Sequence, residues 1–106
     1  MNDSLNIAIA GATGYVGIEL VKILSKHPNV RILYLCAQKS VGKPINFFDN
    51  KIKKKNLPKI TSLNNVNWNE LDVLFTALPN GEAQKIATKL PRNIKLIDLS
   101  ADFRLN

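Results

Sequence analysis

Seven residues, Gly11-Ala12-Thr13-Gly14-Tyr15-Val16-Gly17, constrain this chain more than any others, because the hydrophobic period changes across them. Before them, Leu5 to Ala10 is a short apolar run, which predicts a buried strand. After them, from Tyr15 to Lys26, apolar residues recur at helical spacing (Val16, Leu20, Val21, Ile23, Leu24), with Lys22 and Lys26 left for solvent and Pro28 closing the segment. Val30 to Cys36 is rich in large and β-branched apolar residues and predicts a second strand. A helix of this length cannot join adjacent antiparallel strands tightly, so the unit predicts parallel strands with a right-handed crossover.

The same alternation continues downstream. Asp72 to Leu78 reads as a strand, Pro79-Asn80-Gly81 as a breaker, Glu82 to Leu90 as a helix with Ala83, Ile86, Ala87 and Leu90 on one face, and Ile94 to Leu99 as the last strand. The stretch from Ala37 to Leu57 is irregular and predicts a loop with a helical turn near Phe47. Ile60 is expected on a short strand, and Asn67 to Leu71 in a helical turn with Trp68 over the entry to the next strand. Five strands with helical connections predict an α/β fold, a doubly wound, Rossmann-type, mostly parallel sheet. With 106 residues, 45% of them apolar, the chain is expected to form one small domain with one core.

In this context the glycines acquire a chemistry. A tight turn needs a residue without Cβ at Gly11, Gly14 lets backbone approach a pyrophosphate, and Gly17 lets helix and strand pack closely. The N–H groups of the helix start then face the diphosphate at the positive end of the macrodipole. Gly11, Thr13, Gly14, Tyr15, Val16 and Gly17 are therefore candidate cofactor-binding residues, against the alternative of a glycine-rich turn with no ligand. An NAD site places an acid ~20 positions after the loop, at the ribose 2′-hydroxyl. Here Leu35 to Ser40 contains no carboxylate, while Gln38 and Ser40 can donate hydrogen bonds and Lys39 carries positive charge, which predicts NADP.

Charge does not point to nucleic acid. Of the formal net charge of +7, a balance of +6 lies between Lys39 and Lys59, where seven lysines face one acid, Asp49; the other 85 residues carry eight basic and seven acidic groups. Lys54 is flanked by lysines, with Phe47 and Phe48 ahead of the run and no arginine near it to stack on bases, so a solvated loop is expected rather than a polyanion footprint. The loop can also steer a polyanionic cofactor at a salt-dependent rate. No apolar run approaches the ~20 residues of a membrane span and no leader pattern precedes the first strand, so neither a membrane nor a nucleic-acid partner is expected and the location is read as cytoplasmic. One cysteine excludes an internal disulfide and a multi-thiolate metal site, and no metal is expected.

Four motifs together carry a resemblance. Gly11 to Gly17, Gly42-Lys43-Pro44, Ala77-Leu78-Pro79-Asn80-Gly81, and Ile97-Asp98-Leu99-Ser100-Ala101-Asp102-Phe103-Arg104-Leu105 resemble the amino-terminal part of the N-acetyl-gamma-glutamyl-phosphate reductase family, over essentially the whole chain. The resemblance implies NADPH reduction of N-acetyl-glutamyl phosphate to N-acetylglutamate semialdehyde in arginine biosynthesis, through a thioester on a cysteine, in an enzyme that is a homo-oligomer when complete. It implies Pro79 and Asn80 on the nicotinamide side, and Ser100, Asp102 and Arg104 lining the cofactor and substrate cleft. The related aspartate-semialdehyde dehydrogenases usually read Asp-Asn-Ser-Ser where this chain has Asp98-Leu99-Ser100-Ala101, so the last motif separates the two. An aspartate-semialdehyde dehydrogenase-like fragment and a stand-alone nucleotide- or polyanion-binding module are the alternatives.

The chain departs from the family in three ways. Ala37-Gln38 stands where Ser-Arg is common, so Lys39 or Lys43 would replace an arginine at the 2′-phosphate, and Asn80 stands where histidine is common. The catalytic cysteine, the general-base histidine and the substrate and dimerisation domain of the family have no counterpart here, so residues 1–106 are expected to be a truncated dinucleotide-binding domain without turnover of its own. Cys36, on an apolar strand, is expected to be a buried hydrophobe and not a nucleophile, and His27 a solvent-facing helix-end residue.

Overall fold

The computed structural model describes residues 4–52, 57–78 and 81–99. Strands β1 (Leu5–Ala10), β2 (Val30–Cys36), β3 (Ile60–Thr61), β4 (Val73–Thr76) and β5 (Lys95–Asp98) form one sheet in the order β3-β2-β1-β4-β5, and all four pairings are parallel. Helix α1 (Tyr15–Ser25) links β1 to β2, and α2 (Glu82–Ala87) links β4 to β5. This is the doubly wound architecture that the alternating pattern predicts, with the strand order reversing between β1 and β4. Among the described residues, no helix is long and apolar enough to cross a membrane.

The central strand shows why the sheet holds together. In β1 the last four residues are buried, Ile7 and Ile9 on one face and Ala8 and Ala10 on the other, so the strand is apolar along its length rather than alternating. The isoleucine face packs with Ile32, Leu35 and Val73 of the sheet, Val21 of α1, and Ile45 and Ile52 from the connection after β2. The opposite face uses Ala8, Ala10 and Cys36 against Leu74, Val66, Leu71 and Ile94, with Trp68 and Ile86 packed at its margin. Each fully buried isoleucine or leucine contributes about 1.5–3 kcal/mol, so the two faces together supply the core.

The irregular stretch contains the expected turn near Phe47, a 3-10 turn at Ile45–Phe47, and Trp68–Glu70 forms the one expected before β4. A further 3-10 turn at Leu63–Asn65, capped by the Ser62 hydroxyl accepting from the Asn64 N–H at 3.1 Å, has no counterpart in the sequence reading.

Several boundaries and faces differ from expectation, each for a local reason. Helix α2 ends at Ala87, not Leu90, because Lys89 and Leu90 donate to Ile86 and Ala87, three residues back, and Pro91 disfavours a helical conformation in the residue before it. Ala87 is consequently exposed. Strands β4 and β5 are shorter than predicted at both ends: the Asp72 carboxylate accepts from the Asn6 N–H at 2.8 Å, and Ile94 is held in a turn by its bond to the Pro91 carbonyl. Helix α1 stops at Ser25, with Lys26 as its cap. Ile23, expected on the buried face, is 62% exposed, whereas Lys22, expected in solvent, is paired with Asp49 at 2.7 Å and Glu19 at 3.3 Å. Asp49 comes from the connection after β2, and its hydrogen bond with Lys22 holds the Asp49 carboxyl below its usual range.

Candidate functional site

The site lies at the carboxyl ends of β1, β2 and β4, around the turn between Gly11 and Gly17. Gly11 adopts φ +81°, the left-handed region that favours glycine, and a Cβ there would meet the Ala77 carbonyl group, whose carbon would lie 2.9 Å away. The N–H groups of Gly11 and Ala12 both donate to the Cys36 carbonyl, at 2.9 and 3.0 Å, so the end of β2 holds the beginning of the turn. Gly14 N–H closes it onto the Gly11 carbonyl at 3.2 Å. A Cβ on Gly17 would be driven into the Gly11 carbonyl oxygen and would lie 2.8 Å from two backbone atoms of Ala12. Gly11 and Gly17 are thus fixed by packing within the protein itself.

Gly14 is different. Its backbone is extended (φ −82°, ψ 177°), a conformation any residue adopts, and the nearest atom to a Cβ would be the Gly11 carbonyl oxygen at 3.7 Å, an ordinary contact. Nothing in the chain's own packing requires a glycine there. Gly14 is the N-cap of α1 and brings no side-chain cap, and the first turn of the helix carries no acid. The first-turn N–H groups and the positive end of the α1 dipole are therefore available to an anion. Tyr15, 95% exposed, and Val16, also exposed, bring backbone N–H groups to this rim, while the Thr13 side chain is half-buried beside it.

At the end of β2, Ala37 N–H donates to Thr61 of β3 at 3.1 Å, after which the chain turns outward through Gln38, Lys39 and Ser40. Gln38 and Lys39 are exposed and Ser40 half-buried. Ser40 adopts φ +67°, the only positive φ among the described non-glycine residues, and the turn is closed by Lys43 N–H on the Ser40 carbonyl at 3.1 Å. Gly42 N–H on the Ile60 carbonyl (2.7 Å) and Ile60 N–H on the Lys43 carbonyl (2.9 Å) pin this turn to β3. From Gly11 to Lys43 the sole acid is Glu19, paired with Lys22 on α1. Among the described residues, a dianionic group meets no unpaired carboxylate along this stretch of the rim.

The third side of the site is the exit of β4, which touches the turn through Gly11 and the Ala77 and Leu78 residues. The Thr76 hydroxyl, buried, donates to Asp98 at 3.0 Å and the Leu99 N–H donates to the Thr76 carbonyl at 2.7 Å, so β5 leaves the sheet beside β4. This pair follows from the parallel register of Thr76 with Asp98 and was invisible in the sequence. Pro79, Asn80, Ser100, Asp102 and Arg104, expected in the cleft, lie outside the described residues, as do Lys53, Lys54 and Lys55.

Cys36 is 1% exposed, and burial pushes its thiol up to about 12, so it lacks the thiolate a nucleophile needs. His27 lies in the turn before β2, at the end of that seven-residue strand opposite to Cys36, and its Nδ1 accepts from the Asn29 N–H at 3.1 Å. The shift has a consequence for stability. Above pH 9 the unfolded thiol ionises while the folded one keeps its proton, so stability falls as pH rises toward about 12. Relative to Cys36→Ala, the wild-type chain is expected to lose up to about 1.4 kcal/mol per pH unit across that window in denaturant titrations. Parallel curves for the two proteins would contradict the burial of the thiol.

Comparison with known proteins places this geometry. Residues 6–106 match the family described as semialdehyde dehydrogenase, NAD binding domain. The N-acetyl-gamma-glutamyl-phosphate reductase of Ehrlichia canis is 42% identical over 106 residues, covering 99% of this chain and 31% of the relative. That of Paracoccus denitrificans is 39% identical over 102 residues, covering 96% of this chain and 30% of the relative. The chain thus spans under a third of the length of these relatives. Among solved structures, aspartate semialdehyde dehydrogenase with NADP from Candida albicans matches at a TM-score of 0.69 and 25% identity, over 94% of this chain and 30% of that one. Aspartate semialdehyde dehydrogenase II from Vibrio cholerae matches in fold at a TM-score of 0.72 and 21% identity, over 97% of this chain and 30% of that one.

Proposed function

Because the chain belongs to the semialdehyde dehydrogenase NAD-binding-domain family, we propose that residues 1–106 are the cofactor-binding part of an N-acetyl-gamma-glutamyl-phosphate reductase and bind NADP in preference to NAD. The observation that carries the cofactor reading is the open Cβ position at Gly14, flanked by two glycines that packing alone explains. Thr13, Tyr15 and Val16 offer backbone N–H groups to the pyrophosphate and Gly14, bare of Cβ, leaves its approach open, with Gly11 and Gly17 shaping the turn beneath it. Gln38, Lys39 and Ser40 are assigned to the neighbourhood of the adenosine ribose and its 2′-phosphate, and the family resemblance assigns Pro79 and Asn80 to the nicotinamide side and Ser100 to the cofactor and substrate cleft. When bound, the nicotinamide supplies the hydride; the residues of this chain hold and orient it.

The substrate reading, N-acetyl-glutamyl phosphate, is supported by the names of the curated relatives and by the Asp98-Leu99-Ser100-Ala101 motif, which favours this enzyme over an aspartate-semialdehyde dehydrogenase. The complete enzyme is proposed to be a cytoplasmic homo-oligomer. Calorimetric titration with NADPH, NADH and duplex DNA at two salt concentrations tests the cofactor reading. NADPH is expected to bind more tightly than NADH at both; DNA binding with a steep salt slope and no nucleotide preference would replace it with a polyanion-binding module.

The chain by itself is proposed to bind without turnover. Acyl-phosphate reduction through a thioester needs an activated thiolate with access to substrate, and Cys36 is buried and protonated. NADP reduction with N-acetylglutamate semialdehyde and phosphate is expected to be undetectable for the wild type and for Cys36→Ser alike. Turnover lost in the variant would make Cys36 the nucleophile after all, and turnover kept in both would mean hydride transfer without a cysteine.

A further inference from the structure

The strongest unexplained feature outside the glycine turn is the placement of Lys43. Its Nζ lies 4.5 Å from the centroid of the Phe47 ring, although Phe47 is 64% exposed and Lys43 itself is at the surface. The described carboxylates are engaged elsewhere: Glu19 and Asp49 with Lys22, Glu70 with Tyr34, Asp72 with Asn6, Glu82 with Lys85 and Asp98 with Thr76. A ring face, not an anion, is what holds this ammonium. The backbone beneath it is equally constrained, since Lys43 donates to Ser40 and accepts from Ile60, and Gly42 donates to Ile60. Phe48 packs edge-on against Phe47, with centroids 5.2 Å apart, and supports the ring.

We propose that Lys43, set against Phe47, is the cation that recognises the 2′-phosphate of the bound cofactor, with Phe47 as a positioning residue. In a doubly wound sheet the adenosine end of a dinucleotide lies over the carboxyl end of the second strand, and the turn that carries Ser40 and Lys43 stands there, pinned to β3. A lysine already resting on a ring loses less side-chain freedom when it meets a phosphate than one extended into solvent. Among the described residues the phosphate also finds no unpaired carboxylate from Gly11 to Lys43. The inference rests on the NADP reading and assigns its selectivity to one side chain.

The test is calorimetry of NADPH and NADH binding to the wild-type chain, Lys43→Gln, Phe47→Leu and Phe47→Tyr, with melting temperatures as the fold control. A charge-assisted phosphate contact predicts that Lys43→Gln weakens NADPH about tenfold or more while NADH affinity stays within about twofold. Phe47→Leu is expected to lower the NADPH-to-NADH affinity ratio in the same direction by a smaller factor, and Phe47→Tyr to restore it. A ratio unchanged in Lys43→Gln, or equal weakening of both cofactors, overturns the assignment while the NADP reading stands. A ratio unchanged in Phe47→Leu overturns the positioning role. A wild-type chain that binds both cofactors equally overturns the NADP reading, and this assignment with it.

Discussion

Gly14→Val is expected to abolish NADPH binding, raising Kd by about a hundredfold or more, while the chain stays folded. A valine side chain at this position projects into the space in front of the first turn of α1, where the pyrophosphate must approach backbone N–H groups to within hydrogen-bond distance. The protein itself accommodates the change: φ −82° and ψ 177° suit valine, and the nearest atom to the new Cβ is 3.7 Å away. Loss of the glycine N-cap costs less than about 1 kcal/mol, so Tm is expected to fall by no more than about 5 °C. Calorimetry and a thermal melt on the same preparation check both halves. An unchanged dissociation constant removes the glycine turn from the binding site.

Gly17→Ala, three residues further on and a smaller change, is expected to do the opposite and damage the fold itself. Its single added carbon is forced against the Gly11 carbonyl oxygen and lies 2.8 Å from backbone atoms of Ala12, none of which can move as a side chain would. Relieving the overlap means lifting α1 from the turn, which also disturbs the bonds from Gly11 and Ala12 to the Cys36 carbonyl. Overpacking at such a site costs about 3 kcal/mol, and a Tm lower by more than about 10 °C follows for a domain of this size. A melt indistinguishable from that of the wild type would mean that helix and turn are not in the close contact described.

The contrast between these two positions marks where the sequence stops being informative. The parallel pairing and the position of the turn follow from the runs at Leu5 to Ala10, Val30 to Cys36 and Asp72 to Leu78, because burial on both faces leaves an unbroken apolar signature, whereas the order β3-β2-β1-β4-β5 is known only from the structure. The three glycines of the turn look alike in the sequence. Only the approach of Ala77 to Gly11 and of the turn to α1 separates the two that packing demands from the one it leaves open.

Contacts between distant segments were hidden for the same reason. Lys22 reads as a solvent-facing residue of an amphipathic helix until the connection after β2 brings Asp49 over it. Tyr34, in a strand, meets Glu70 at 2.6 Å across thirty-six positions, and that hydrogen bond raises the phenol above its ordinary range. Thr76 reads as an ordinary strand residue, and its register partner Asp98 becomes known only when β4 and β5 pair. Conversely, the burial of Cys36 was legible, since its place on an apolar strand predicts desolvation, and desolvation is what raises its thiol.

The most direct measurement is a two-dimensional amide NMR titration of the chain with NADPH, which reads each backbone N–H separately. The largest shifts are expected at Thr13, Gly14, Tyr15 and Val16, where the pyrophosphate is received, with a second group at Gln38, Lys39 and Ser40, and small shifts on α2 and at the amino ends of the strands. Shifts confined to the lysines between Lys43 and Lys59, with the glycine turn unmoved at saturating NADPH, would contradict the assignment of the turn as the cofactor's cradle.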